Sequence, residues 1–353
     1  MQYKFIITSV LETMRLFEAH GFHVSCLVFD GASTNLSAAK VLTTGRRGRY
    51  KDEPGTHIIQ PWFTNPFQPR IKVHIVICPS HQLKNMVNAL FASRTQGPKD
   101  FVSLELCGEK VKQVPFGWKA IKDLYEREVD RRDKNRLRMV PGLQKSFVIR
   151  DSWTKLNVRP AKIMQQERVL AELATYAQPE YSTCPPWDSG HVMAAHTYLS
   201  ACNMIFERGL LSHSKVTSNS PEALDNIMSG WSYFSRWRNS LEDLADFKPS
   251  SNKERRFLAW QTWDLLRITI FGFRGLCEDF FSRHGPNYFI SPLRINGSAV
   301  ESLFSRLKAY SGGKLTSINY QSARKSIIIQ GDVKHPSGEG YRDVPLYHMY
   351  EHE

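Results

Sequence analysis

The sequence predicts an α/β domain followed by a mainly α-helical region, and three observations support this prediction. Two apolar runs typical of β-strands, "VSCLVF" at 24–29 and "IKVHIVI" at 71–77, are each followed by a segment with a helical pattern. A further helical pattern precedes the first run, and this alternation is typical of parallel strand pairing. From about residue 96 the periodicity is helical and the chain is rich in tryptophan.

The elements around the first strand are predicted from start and stop signals. The segment "SVLETMRLFEAHG" opens with a Ser9-x-x-Glu12 capping box and ends at Gly21, which predicts a helix. After the strand, "SAAKVL" predicts a short helix. Residues 45–70 are rich in glycine and proline and are interpreted as a long loop.

The second strand is followed by another helical pattern, "SHQLKNMVNALFAS" at 80–93. At the amino end, only "YKFIITS" at 3–9 is left to supply an earlier strand. The order of elements therefore predicts a small, incomplete parallel sheet.

Three later segments predict helices of different character. The mixed-sign segment "PFGWKAIKDLYEREVDRRDKNRLR" at 115–138 predicts a helix with a solvated face. The segment at 251–281 carries a Ser251-x-x-Glu254 capping box and a long apolar stretch, which indicates a buried helix. The tryptophans of this region are interpreted as core residues rather than base-stacking residues.

The last predicted helix, "NGSAVESLFSRLKAY" at 296–310, carries apolar residues at helical spacing. This stripe is expected to be buried, and it consists of Val300, Leu303, Phe304 and Leu307.

Composition limits the class of partner and the compartment. The 353-residue chain has a formal charge of +13 and a pI near 9.5, which favours a polyanionic partner such as nucleic acid. Its six cysteines are scattered without a Cys-x-x-Cys pair, as expected in a reducing compartment. No apolar run reaches the ~20 residues of a membrane helix, and no signal peptide is evident. A soluble, intracellular protein without a membrane partner is therefore expected.

Two acidic residues stand out because of their positions. Asp30 follows the first strand directly, and Glu301 lies in the first turn of the last predicted helix. Carboxylate oxygens are the ligands that Mg²⁺ prefers, and paired ions can support phosphodiester chemistry. Each acid also has a structural alternative: Asp30, like Asn35, can cap the next turn, and Ser298-x-x-Glu301 can be a capping box.

Basic residues near these acids are candidates for DNA contacts. The loop "GRRGRYK" at 45–51 carries Arg46, Arg47 and Arg49 close to Asp30, and Lys314 follows the Glu301 helix. The segment "SGGKLTS" that contains Lys314 lacks the spacing of a phosphate-binding P-loop and is interpreted as a turn. A zinc site formed by His74, Cys78 and His81 is disfavoured, because the sequence shows no fourth ligand for it.

Four segments, taken in order, resemble the P-element transposase family, which includes the THAP-domain transposases of animals. They are "FDGASTN", "CPSHQLKNMVN", "NGSAVESLF" and "GGKLTSINYQSA". The resemblance implies an RNase H-like core, incomplete because its first strands are missing, interrupted by a mainly α-helical insertion that binds GTP in the best-known members. The implied parts are a partial core at 1–95, the insertion at 96–288, the last core helix at 289–330 and a tail at 331–353.

The resemblance also assigns roles to residues. Asp30 matches the second catalytic acid and Glu301 the final glutamate, so both are expected to bind Mg²⁺, or Mn²⁺ in its place. The other matched positions are Asn35, Cys78, His81, Lys84, Asn85, Asn88 and Asn296, and Lys84 joins the candidate DNA contacts. The implied partner is the DNA of transposon ends. A homo-oligomer and a nuclear location are also implied.

Three departures from the family pattern weaken the catalytic expectation. The sequence has no Asp-Glu-Met segment, which carries the family's first acid; Cys78 stands where an aspartate is usual; and no zinc-dependent DNA-binding module is evident. We therefore expect an N-terminally truncated or decayed copy with little strand-transfer activity. The alternatives are a domesticated or decayed non-catalytic module that binds DNA or a protein, and a GTP-regulated assembly domain.

Overall fold

The computed structural model describes residues 2–48, 50, 55–94, 96–107, 110–152, 154–178, 189–242 and 253–333. It is mostly helical, and its strands form two small sheets. The chain divides into two compact units, Met1–Asn296 and Gly297–Glu353. No helix among the described residues is long and apolar enough to cross a bilayer.

The strands and helices follow in chain order. The strands are β1 (Cys26–Phe29), β2 (Trp62–Thr64), β3 (Lys72–Ile77), β4 (Val102–Cys107) and β5 (Lys110–Pro115). The helices are α1 (Gln2–Ala19), α2 (Ser33–Thr44), α3 (Pro79–Ala92), α4 (Lys119–Asp133), α5 (Lys145–Val148), α6 (Val158–Met164), α7 (Glu167–Ala177), α8 (Ser189–Ile205), α9 (Glu222–Glu242), α10 (Lys253–Arg256), α11 (Trp260–His284), α12 (Ser298–Tyr310) and α13 (Ser317–Val333).

The first sheet has the strand order β1-β3-β2. β1 and β3 are parallel, with Cys26 opposite His74 and Phe29 opposite Ile77, so the predicted parallel pairing is confirmed. β2 runs antiparallel to β3, and the expectation of an unstructured loop over 45–70 is wrong at this point. A three-residue strand shows too little alternation to be recognised in the sequence.

Helix α1 begins at Gln2, so the segment "YKFIITS" is helical and its interpretation as a strand is wrong. Ile6, Val10 and Met14 recur every four residues and pack on the core from one helix face. Ser9 lies within α1 and not at its start, so it does not cap the helix. Its carbonyl accepts a hydrogen bond from the Thr13 hydroxyl one turn later. The strand propensity of Phe-Ile-Ile is thus overridden by the longer helical period.

Strands β4 and β5 form an antiparallel hairpin that pairs Val102 with Pro115. This hairpin lies in the region expected to be helical. Its signal is the alternation of apolar and polar residues in "VSLELC" and "KVKQVP".

The charged helix α4 differs from its prediction at Glu128, which is fully buried. Its carboxylate accepts hydrogen bonds from Arg131 and from the backbone N–H groups of Met139 and Val140. These contacts tie the loop after α4 to the helix. Glu128 therefore has a structural role within this mixed-sign helix, and only the other charged residues of α4 form its solvated face.

Helix α11 is the buried central helix that its apolar pattern predicts, although it begins only at Trp260, after α10 and a short break. Residues 251–252 of the expected capping box lie outside the described residues. The helix crosses β3 at very close range, because a Cβ atom built on Gly272 would lie 1.8 Å from the Ile75 carbonyl oxygen. Only glycine allows this approach of helix and strand backbones.

The described tryptophans of the helical region pack in or against the core, as expected. Trp231 stacks on Trp263 with ring centroids 4.9 Å apart, and Trp237 donates its indole N–H to the Val102 carbonyl. All three rings are buried. They connect α9, α11 and the hairpin into one hydrophobic core that also includes the sheet.

The second unit contains α12 and α13. They meet at a small buried cluster of Leu307, Ala323 and Ile327. Of the expected buried stripe only Leu307 is buried, since Val300, Leu303 and Phe304 are between 44% and 56% exposed; the prediction is wrong for these three. Two described helices offer too little surface to cover the whole stripe.

The turn predicted after α12 is confirmed. Gly312 and Gly313 follow the helix with φ angles of 67° and 86°, which glycine adopts at little cost. The helix itself starts at Ser298 after Gly297, so Ser298 does not take the cap position.

Candidate catalytic edge and basic surfaces

The carboxyl ends of β1 and β3 form one edge of the first sheet. Asp30 follows β1 and Cys78 follows β3, and the Cys78 N–H donates to the Phe29 carbonyl across the pair. The amino ends of α2 and α3 begin at the same edge, since Ser33 and Pro79 start these helices. Ligands of open parallel sheets bind at such edges, and helix amino termini favour anions there.

Asp30 is exposed and organises its own turn. Its Oδ1 accepts hydrogen bonds from the Ala32 N–H at 2.8 Å and from the Asn35 side-chain amide at 2.7 Å. The predicted capping of the next turn is thus present, and Asn35 fixes the direction of the carboxylate. Among the described residues no group donates a hydrogen bond to Oδ2, so this oxygen is available to a ligand.

Helices α3 and α11 bracket this turn from the other side. A Cβ atom built on Gly31 would lie 3.4 Å from Nδ2 of Asn85 and 3.7 Å from Leu265. Asn85 therefore lies beside the Asp30 turn. His81 and the buried Cys78 lie at the start of α3, at the same edge.

A polar cleft of about 230 Å³ lies beside the start of α2. Its lining is made of hydroxyl, amide and guanidinium groups, from Gln2, Tyr3, Ser33, Thr34, Ser37 and Arg47. The Arg47 guanidinium lies 4.9 Å from the centre of the Tyr3 ring. Arg47 is among the residues predicted from the sequence, whereas the hydroxyl residues are not. Their signal is the small polar run "STNLS" at 33–37, shortly after Asp30.

The other predicted DNA contacts of the first unit have different surroundings. Arg46 is exposed on the loop after α2, and Arg49 lies outside the described residues. The Lys84 ammonium donates to the Leu156 carbonyl at 3.1 Å, and the Asn88 amide donates to the Lys155 carbonyl at 3.3 Å. These two motif residues of α3 therefore hold the loop between α5 and α6.

The remaining candidates lie at or beyond the boundary of the two units. Asn296 closes the first unit and donates its side-chain amide to the Leu293 carbonyl. Glu301 in α12 and the exposed Lys314 in the following turn belong to the second unit. Pairing of Asp30 with Glu301 stays a prediction.

The residues at the sheet edge fit one side of a divalent-cation site. Asp30 offers one free carboxylate oxygen, and Mg²⁺ is commonly bound by one or two carboxylates with several waters. Within the described ranges, no group of three or more His, Cys, Asp or Glu side chains is placed to hold a metal ion. His74, one of the residues considered for zinc, lies with its Nε2 atom 2.7 Å from an oxygen of Asp279. Burial lowers the pKa of this histidine.

Comparison with known proteins shows that the fold is transposase-like. It is similar to a chain of the Drosophila P element transposase strand transfer complex, with a TM-score of 0.64 and 15% sequence identity. The similarity covers 91% of this chain and 64% of that chain, so the present sequence spans somewhat less than two thirds of it. At this identity the likeness concerns the fold alone. No family model and no curated protein matches the sequence.

Proposed function

We propose that this chain is a DNA-binding protein with a transposase-like fold whose Asp30 edge faces the DNA. The observation that carries the proposal is the fold similarity over 91% of the chain to a transposase in a strand transfer complex. The excess of 47 Lys and Arg over 34 Asp and Glu supports it, because a polyanion is the partner that such a charge favours.

The cleft beside Asp30 supplies the chemistry for a DNA phosphate. Arg47 offers a guanidinium group, α2 offers the unpaired N–H groups of its first turn, and Ser33 and Thr34 offer hydroxyl donors. These groups share one polar cleft adjacent to the turn that holds Asp30. A phosphodiester bound there would lie at the start of α2, the helix that follows the Asp30 turn.

The finer proposal concerns metal and catalysis. Asp30 and Glu301 are each proposed as a ligand of Mg²⁺ or Mn²⁺. A bound divalent ion supplies activation of a water or hydroxyl group and stabilisation of the leaving oxygen. Asn35 keeps the Asp30 carboxylate directed, and no Asp-Glu-Met segment supplies a first acid. We expect DNA binding to be strong and strand transfer by this chain to be weak or absent.

One observation favours a non-catalytic, domesticated or decayed DNA-binding module as the second candidate. The Asp30 carboxylate caps its own turn, so an aspartate would be retained there even in a chain without catalysis. Nuclear localisation, a homo-oligomer and GTP binding stay predictions. Titration with labelled GTP tests the last of them directly.

DNA binding is tested by fluorescence anisotropy with a labelled duplex across a salt series. We expect affinity to fall steeply with salt, and Arg46→Gln/Arg47→Gln to reduce the log–log slope by about 2, because each phosphate contact contributes about 0.9. The control is Arg132→Gln, which removes a 62% exposed arginine of α4 that pairs with Asp133. Lack of affinity for duplex DNA in low salt would disprove the proposal.

Catalysis is tested separately with Asp30→Asn. Asparagine keeps an oxygen for the Ala32 N–H and preserves the turn, so the variant removes the charge and little else. Mg²⁺-dependent cleavage of transposon-end DNA by the parent chain, abolished in Asp30→Asn, would establish the catalytic form. Equal DNA binding by both proteins without cleavage by either supports the non-catalytic module.

A further inference from the structure

Three cationic side chains surround one aromatic ring at the carboxyl end of α3. The Arg94 guanidinium lies 4.2 Å from the centre of the Phe91 ring, the Lys155 ammonium 5.2 Å and the Arg150 guanidinium 5.7 Å. No two of the three charges are therefore more than about 11 Å apart. We call Phe91 with these three cations the Phe91 cluster.

None of the three cations forms an ion pair with a described carboxylate. Arg94 donates to the Phe91 carbonyl at 2.8 Å, and Arg150 donates only to the Thr154 carbonyl at 3.3 Å. The nearby Asp151 carboxylate accepts hydrogen bonds from Thr154 and not from Arg150. The cluster thus carries three positive charges that its own side chains do not neutralise.

Arg150 is the most unusual member because it is only 7% exposed. Its Nε and Nη1 atoms are buried without a hydrogen-bond acceptor among the described residues. Burial lowers its pKa to about 10. A buried cation without a carboxylate partner is destabilising, and this cost points to a function or to an anion that comes from outside.

The loop that carries Arg150 and Lys155 is fixed in place. Lys84 and Asn88, one turn apart on α3, bind the carbonyls of Leu156 and Lys155. Asp151 Oδ1 accepts the N–H of Thr154 at 2.7 Å and closes a tight turn. The positions of the cations are therefore set before any ligand arrives, which lowers the entropic cost of binding.

Cation–π attraction to Phe91 stabilises each cation but leaves the mutual repulsion in place. The Debye length at physiological salt is about 8 Å, so charges within this cluster repel one another. A phosphate bound by the part-exposed Arg94 and Lys155 would relieve the repulsion, and the nearby charge of Arg150 would strengthen the attraction. Three cations within about 11 Å of one another can face successive phosphates of one strand, whereas one free phosphate neutralises only part of their charge.

We propose that Arg94, Lys155 and Arg150 around Phe91 form a contact site for the phosphates of a DNA backbone. The proposal rests on the DNA-binding function and adds a second contact surface to the loop of Arg46 and Arg47. It assigns Lys84 and Asn88 the role of positioning residues that hold this surface rather than contact DNA themselves. Arg94 and Lys155 contact the phosphates, and the charge of the buried Arg150 adds to the attraction.

The test combines a DNA arm and a phosphate arm on the full chain. In the DNA arm, Arg94→Gln/Lys155→Gln is expected to reduce the salt slope of duplex binding by about 2 and weaken binding roughly 10–100-fold at 0.1 M salt. The matched control is Lys215→Gln, which removes a lysine that lies 4.2 Å from the Phe289 ring and outside the cluster. The control is expected to bind DNA like the parent chain.

In the phosphate arm, the melting temperature is measured with inorganic phosphate and with chloride at equal ionic strength. We expect only a weak phosphate effect, which the double variant loses. A double variant that binds DNA like the parent chain refutes the cluster and leaves the general DNA-binding function intact. A parent chain that binds no DNA but is strongly stabilised by phosphate, with the effect lost in the double variant, refutes the DNA assignment and identifies a free-phosphate site.

Discussion

Two buried basic sites differ in how their charge is balanced. Between α2 and α11, Lys40 lies 2.5 Å from Asp264, and Arg267 donates to the other oxygen of the same carboxylate at 2.7 Å. All three side chains are almost fully buried. At the Phe91 cluster, Arg150 is nearly as buried, and no carboxylate of the described residues pairs with it. The first site is an internal ion-pair network, and the second leaves a charge for an external partner.

The difference separates the structural from the functional use of buried charge. Breaking a buried ion pair is costly because one ion loses its compensating charge, whereas removal of a buried ion that has no compensating charge relieves a penalty. Lys40 lies on the helix that follows Asp30, so the network also fixes that helix against the core helix α11. Removal of one charged side chain should therefore have opposite effects on stability at the two sites.

The largest effect is expected for Asp264→Ala. The substitution leaves Lys40 and Arg267 buried without their carboxylate, which should lower the free energy of unfolding by about 3–5 kcal/mol. Urea denaturation followed by circular dichroism measures it. The control, Asp133→Ala, removes a 60% exposed partner of Arg132 and should change stability by less than about 0.5 kcal/mol. A small effect at Asp264 would show that the network does not hold α2 in place.

A smaller effect of opposite sign is expected for Arg150→Met. Methionine fills the space beside Phe91 and Trp118 without a buried charge, so the free energy of unfolding in phosphate-free buffer should rise by about 1–2 kcal/mol. DNA affinity should fall in the same variant. A less stable protein with unchanged DNA binding would identify Arg150 as purely structural and contradict the comparison.

The smallest effect concerns His74, a third buried basic group, which contacts Asp279. Burial is the main cause that lowers its pKa from 6.5, so the folded protein favours neutral imidazole. Its contribution to stability is therefore complete above pH 6.5 and is lost as pH falls through the lowered pKa. Unfolding free energies between pH 5 and 8 should show this loss in the parent chain and a flatter profile in His74→Gln. A steeper profile in the variant would contradict it.

The predictable part of the molecule is the part with strong local patterns. The apolar runs gave the parallel β1–β3 pair and placed Asp30 at its edge, and the long apolar period identified α11 as buried. The position of Asp30 directly after the strand indicated that it can cap the next turn, and its hydrogen bond from the Ala32 N–H shows this capping. In each case neighbours in sequence determine the structure.

The rest depends on contacts between distant segments. The apolar stripe of α12 predicts a helix but does not predict which of its residues are buried. Val300, for example, is 56% exposed. Arg150 looks like any arginine in the sequence, and only the fold brings it beside Phe91 from α3. The same holds for the Lys40–Asp264 pair, whose members are 224 positions apart.

The contact of Gly272 with the Ile75 carbonyl has a consequence for the history of the gene. A single-base change can turn this glycine codon into one for alanine, and the added methyl group would force α11 away from β3. Related sequences that fold in the same way should therefore keep glycine at this position. Retention of the glycine codon reports selection on the folded chain, independently of any activity at the Asp30 edge.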